Sequence, residues 1–249
     1  MSKINTYTNE DLAQMRKACR LAKETLDYIS QFVKPHITTD ELNTLCHEFI
    51  ISHNATPAPL NYNGYPKSIC TSVNHVICHG IPGAYALKTG DIINIDITVV
   101  LDGWFGDTSR TFIVEKCSKL AESLVDVAKE SLYIGINAVK PYGHFGDIGE
   151  AIQDFVDKYG YSIVRDYCGH GIGREFHEPP TIIHYNSGSK GRQILPGMIF
   201  TIEPMINAGS YKSKVLKDGW TAVTVDKSLS AQFEHTIAVT EAGFEILTE

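Results

Sequence analysis

Apolar residues in the first forty positions recur at alternating steps of three and four. Leu12, Met15, Cys19, Ala22, Leu26, Ile29 and Val33 form one stripe, the spacing of a helix with a single buried face. Thr8 is placed to cap that helix, Glu10 and Asp11 fall in its first turn, and Lys34-Pro35 ends it. A second helix is expected after Thr38, whose partner Glu41 completes a capping box, and it runs to about His53. The pattern then repeats. A helix is predicted from about Ser118 to Val139, Pro141-Tyr-Gly interrupts, and a shorter helix follows from about Gly146 to Lys158. Between and after these lie strand-like runs at 76–78, 92–101, 108–114, 161–167, 198–206, 220–225 and 235–239. Apolar residues dominate both faces of these runs, which predicts a sheet covered by helices on one side and by something substantial on the other. Asp102-Gly103 between two of them is a hairpin signal.

The repetition has a measurable period. Val33-Lys34-Pro35 returns as Val139-Lys140-Pro141 at an offset of 106, and Leu42 and Phe49 match Ile148 and Phe155 at the same offset. Gly90-Asp-Ile-Ile-Asn-Ile-Asp96 and Gly197-Met-Ile-Phe-Thr-Ile-Glu203 are offset by 107. A His-Gly pair precedes each copy, at 79–80 and 170–171, and a second acid follows each, Asp107 and Glu234. A period this long is unlike a solenoid repeat. It describes two similar halves, about 8–114 and 118–249, fused into one domain spanning 1–249, with an α+β fold.

Composition narrows the function classes. Of the 249 residues, 43% are hydrophobic and 20% charged, and the formal net charge is −7, which argues against a nucleic-acid partner because phosphate binding needs a basic surface. The N-terminus carries no apolar signal core and no run approaches spanning length, so no membrane is implied. The six cysteines form no CxxC pair and read as reduced thiols, which places the chain in the cytoplasm.

Four acids set into apolar strands are the chemical signal. Carboxylates brought together lose hydration and repel one another, so they need protons, basic partners or metal. Arg110 is the nearest basic residue in these strands. Asp96, Asp107, Glu203 and Glu234 with His170 form a hard and borderline donor set suited to manganese, iron, cobalt or zinc. Four acids exceed the needs of one ion, and two divalent ions would offset their charge. Two such ions activate a bridging water as a hydroxide-like nucleophile, the chemistry of a hydrolase. His177 lies in the loop Gly-His-Gly-Ile-Gly-Arg-Glu-Phe-His-Glu-Pro-Pro (169–180), whose glycines and prolines mark a fixed segment beside the site.

Cys-His-Gly-Ile-Pro (78–82), Asn94-Ile-Asp96-Ile-Thr, Gly106-Asp107-Thr-Ser-Arg, Gly-His170-Gly-Ile-Gly, Phe200-Thr-Ile-Glu203-Pro and Gln232-Phe-Glu234-His-Thr resemble, in order and across the chain, the signature blocks of type I methionine aminopeptidases. The resemblance implies the pita-bread fold: a curved antiparallel sheet flanked by two helix pairs, with pseudo-two-fold halves. It implies removal of N-terminal methionine from peptides and nascent chains, preferentially before a small second residue. Asp96, Asp107, His170, Glu203 and Glu234 would hold the metals, and the free amino terminus of the substrate would meet one of them. Glu203 would also shuttle the proton, His79 would bond near the scissile amide, and His177 would stabilise the developing oxyanion. Tyr62, Tyr65, Cys70, Phe176 and Trp220 would form the methionine pocket, with Pro59 standing where the family commonly has cysteine. Asn74, Val76 and Ser230 would hold a monovalent cation such as sodium. The chain is similar to the short bacterial form, expected to act as a monomer with a transient ribosome contact. Two alternatives share the fold: a proline-specific dipeptidase or aminopeptidase, which usually carries a large extra domain, and a peptide-binding module that has lost its metal ligands.

Overall fold

The computed structural model describes residues 4–249. Four helices appear where the apolar stripes fall: α1 (Asn9–Ser30), α2 (Thr39–Ser52), α3 (Lys119–Asn137) and α4 (Phe145–Val156). The caps explain their starts. Thr8 with Asp11, and Thr38 with Glu41, close reciprocal capping boxes, and Ser118 accepts the amide of Ala121. Helix α4 stops two residues short of the expected end, and residues 157–159 continue as one 3-10 turn.

The strands before residue 115 are β1 (Thr56–Pro57), β2 (Cys70–Val73), β3 (Val76–Cys78), β4 (Ile92–Leu101) and β5 (Trp104–Ile113). Those after residue 160 are β6 (Ser162–Ile163), β7 (Gly169–Gly171), β8 (Glu178–Ile182), β9 (Ile199–Ile202), β10 (Met205–Asn207), β11 (Ser213–Val215), β12 (Ala222–Thr224), β13 (Ser230–Gln232), β14 (His235–Thr240) and β15 (Gly243–Ile246). All their pairings are antiparallel, and they form four sheets. Strand β4 is central to one, between β5 and β2, and β9 joins β14 to β7 in another. An isolated bridge between Ser109 and Glu234 connects these two sheets.

Several expected strands are shorter or divided. The run 161–167 keeps only Ser162–Ile163, and 198–206 is split at Glu203-Pro204, because proline supplies no amide to the ladder. The run expected to begin at 108 begins at Trp104, directly after a two-residue turn in which Asp102 and Gly103 both have positive φ, the geometry that an Asp-Gly hairpin favours.

Strand β4 overturns the expected apolar bias on both faces. From Ile93 to Val99 it alternates strictly: Ile93, Ile95, Ile97 and Val99 are fully buried with α1 and α2, while Asn94, Asp96 and Thr98 take the opposite face. A second core holds α3 and α4 against Phe200, Ile202 and Ile237. Each helix pair thus covers the outer face of its own strands and leaves the inner, polar faces to meet. Gly106 on β5 permits the close approach of α1, since a Cβ there would lie 2.3 Å from the carbonyl carbon of Ala18.

Candidate active site

Register decides which acids face one another. In the β4–β5 hairpin Asp107 lies opposite Thr98 and Asp96 lies opposite Ser109, so both acids share the inner face on a diagonal. Arg110 lies opposite Ile95, on the outer face, and pairs with Asp27 at 3.1 Å. It is therefore turned away from the acids. Among the described residues no lysine or arginine forms an ion pair with Asp96, Asp107, Glu203 or Glu234.

The other half completes the cluster. His170 on β7 places Nε2 3.7 Å from Asp107 Oδ2 and 3.6 Å from Glu203 Oε1. Ligand atoms of Asp107, His170 and Glu234 lie within 4.8 Å of one another. The seam between the halves runs through these residues. Glu234 N donates to Ser109 O at 3.0 Å, Thr236 Oγ1 to Asp107 O at 2.7 Å, and Asn94 Nδ2 to Gln232 O at 2.9 Å.

Polar neighbours along and across the strands hold Asp107 and Glu203 in place. Thr98 Oγ1 donates to Asp107 Oδ1 at 2.8 Å, Thr201 Oγ1 to Glu203 Oε1 at 2.7 Å, and Gln232 Nε2 to Glu203 Oε2 at 3.2 Å. Thr201 Oγ1 also accepts the amide of His170 at 3.0 Å. His184, fully buried, accepts the amide of Glu203 at 3.1 Å. The sequence reading assigned none of Thr98, Thr201, Gln232 and His184. The first three carried a usable signal, since residues two apart on a strand share a face. His184 carried none.

Electrostatics matches the geometry. Burial raises the carboxyl pKa values of Asp96, Asp107, Glu203 and Glu234, and mutual repulsion adds to burial for the last three. Burial lowers His170 to about 3, reinforced by His177. His170 is therefore neutral, and its Nδ1 faces Gly171 O at 3.0 Å, which leaves Nε2 for a ligand. The donor set fits divalent metal: four repelling buried carboxylates, a neutral imidazole, and no lysine or arginine paired with them among the described residues.

One cavity of about 820 Å³ connects these groups with the rest of the expected site. His79, Tyr62, Tyr65, Cys70, Phe176, His177 and Trp220 all line it, as does Pro59. The Tyr62 hydroxyl lies 2.9 Å from His177 Nδ1, and the Phe176 ring stacks on His177 at 4.2 Å. His79 packs edge-on against Tyr167 and Trp220, and burial together with His177 lowers its pKa to about 4. Tyr65 is almost fully buried and donates to the carbonyls of Gly80 and Ile69, so it forms wall rather than rim. Apart from this cavity, Ser230 N donates to Asn74 O at 2.8 Å, Val76 pairs with Val223, and Ser230 Oγ is buried without a hydrogen-bond partner among the described residues.

Fold and site together define a metal-dependent hydrolase built on the pita-bread fold. The chain belongs to metallopeptidase family M24, whose model matches residues 13–241. It is 57% identical to the methionine aminopeptidase of Rickettsia prowazekii over 98% of its own length and 95% of that protein. The crystal structure of the methionine aminopeptidase from Rickettsia prowazekii superposes with a TM-score of 0.97 at 56% identity, covering 99% of this chain and all of that one. The prolidase from Pyrococcus furiosus shares the fold at a TM-score of 0.77 and 21% identity, with this chain covering 65% of its length. The chain is thus an enzyme, a metal-dependent aminopeptidase that binds divalent metal. No helix among the described residues is long and apolar enough to cross a membrane.

Proposed function

We propose that the chain removes the N-terminal methionine from peptides and nascent proteins, preferentially when the second residue is small. The observation that supports this most directly is one cavity in which a carboxylate cluster adjoins an aromatic sleeve of Tyr62, Tyr65, Phe176 and Trp220. The flexible thioether of methionine suits such a sleeve, where sulfur–aromatic contact adds to burial.

Asp96, Asp107, His170, Glu203 and Glu234 would hold two ions, drawn from cobalt, manganese, iron or zinc. Bound there, the metals supply Lewis acidity and activation of water near neutral pH. The remaining work falls to the chain. Glu203, anchored at both oxygens by Thr201 and Gln232, moves the proton between attacking water and leaving amine. His177 can accept the Tyr62 hydroxyl at Nδ1, which fixes the tautomer that donates from Nε2 to the substrate carbonyl. His79 bonds near the scissile amide. The Ser230 hydroxyl, buried without a hydrogen-bond partner among the described residues and beside the backbone of Asn74, supports a monovalent cation such as sodium held with Val76. Contact with a ribosome is supported by exposed Lys212, Lys214, Lys217 and Lys227 on the segment that leads to and from Trp220.

The test is free methionine released from Met-Ala-Ser, Met-Gly-Met and Met-Leu-Ser by chelator-treated chain reconstituted with each metal. Release from the first two, weak release from the third and none without metal are expected. No release under any metal, or hydrolysis of X-Pro dipeptides alone, would overturn the proposal.

A further inference from the structure

The loop carrying Phe176 and His177 is short and glycine-bearing, yet it is held from three directions. It spans residues 172–177, between β7 and β8. At its base Glu178 is 8% exposed and belongs to no ion pair among the described residues. Its carboxylate instead accepts four donors. Arg174 N and Glu175 N reach Oε1 at 3.0 and 3.1 Å, the Tyr7 hydroxyl bridges both oxygens at 2.8 Å, and Asn5 Nδ2 reaches Oε2 at 2.7 Å. A buried carboxylate is stable on this arrangement only while its donors stay in place.

Two of the donors, Asn5 and Tyr7, come from the segment preceding α1, and that segment is itself fastened. Tyr7 N donates to Gly197 O at 2.8 Å, and the Tyr7 ring meets Trp104 edge-on at 5.4 Å. Gly173 is needed where the two cross, because a Cβ there would lie 2.1 Å from the Tyr7 hydroxyl. From the hairpin side, Phe105 N donates to Gly173 O at 3.0 Å and the Arg174 guanidinium lies 4.0 Å over Trp104.

We infer that Glu178 and Tyr7 are positioning residues for His177: the carboxylate ties the loop to the segment preceding α1, and this sets where the imidazole meets the substrate carbonyl. The inference rests on the role proposed for His177. An imidazole N–H that donates to the substrate carbonyl loses much of its effect on rate when displaced by a fraction of an ångström, while substrate binding, which uses the wider pocket, changes little.

Steady-state kinetics of the metal-loaded full chain on Met-Ala-Ser tests this with a double-mutant cycle. Glu178→Ala is expected to lower kcat about 30-fold with KM within about 3-fold, and Glu178→Gln, which keeps an acceptor for the two loop amides, to recover most of it. In the His177→Ala background Glu178→Ala should cost less than about 3-fold more, because the group it positions is gone. Equal losses in both backgrounds, or no loss in the parent, would overturn the inference. Retained activity in His177→Ala alone would instead overturn the proposed role of His177. Should Glu178→Ala not fold, Tyr7→Phe carries the same cycle with an expected loss of about 5-fold, and amide hydrogen exchange over 172–177 should quicken in it. Unchanged exchange and unchanged kcat in Tyr7→Phe would also overturn it.

Discussion

Glu203 is the side chain on which most of the proposed chemistry converges, and it has no freedom to wander. Both of its oxygens carry hydrogen bonds, and its own amide is fixed by His184. Glu203→Gln keeps the shape and removes the proton carrier, so kcat on Met-Ala-Ser should fall about 10²- to 10³-fold while circular dichroism stays native. His177→Ala is expected to lose about 10²-fold in kcat with a melting temperature within about 2 °C of the parent, since the residue is exposed. A matched loss of stability and activity would make it a structural histidine. The acids themselves were legible in the sequence because each is an anomaly in an apolar strand. Their supports were not read, although Thr98, Thr201 and Gln232 stand two residues from Asp96, Glu203 and Glu234. Which oxygen each would meet depends on pairing across strands far apart in sequence, and a single chain does not display that register.

At the scale of elements, capping chemistry and the three-four spacing located all four helices to within a few residues, because both signals are local. Strands fared less well. The missed ones, such as β2, β7 and β13, are three or four residues long and owe their existence to partners distant in the chain. One element contact is sharp enough to test. Helix α1 lies so close to β5 that Gly106→Ala would press a methyl into the Ala18–Cys19 backbone. A loss of about 2–3 kcal/mol is expected by urea unfolding. A loss below about 0.5 kcal/mol would show that α1 can shift outward freely.

For the whole molecule, the buried acids link metal to protons. Burial raises the pKa of Asp107 and Glu234, with repulsion from neighbouring acids adding to it, and Asp96 and Glu203 move the same way. In the metal-free state the folded chain therefore holds protons that the unfolded chain has released above about pH 4–5. That contribution to stability is present at low pH and is lost as pH rises through the raised folded values. Metal held by these acids, as proposed, would expel the protons, so the stabilisation by added manganese should grow with pH. Thermal unfolding of chelator-treated chain with and without excess manganese checks this: the gap in melting temperature should be larger at pH 7.5 than at pH 5.5. The pKa of His79 moves the opposite way, lowered by burial, and since His79 stays outside the proposed ligand set it cancels to first order in that difference. The seam that joins Ser109 to Glu234 and Asp107 to Thr236 bears on biosynthesis. A growing chain can form its hairpin acids early, but the proposed site stays incomplete until the segment 232–236 has left the tunnel. Any nascent chain arrested before that point is a peptidase only in outline, unable to trim a neighbour.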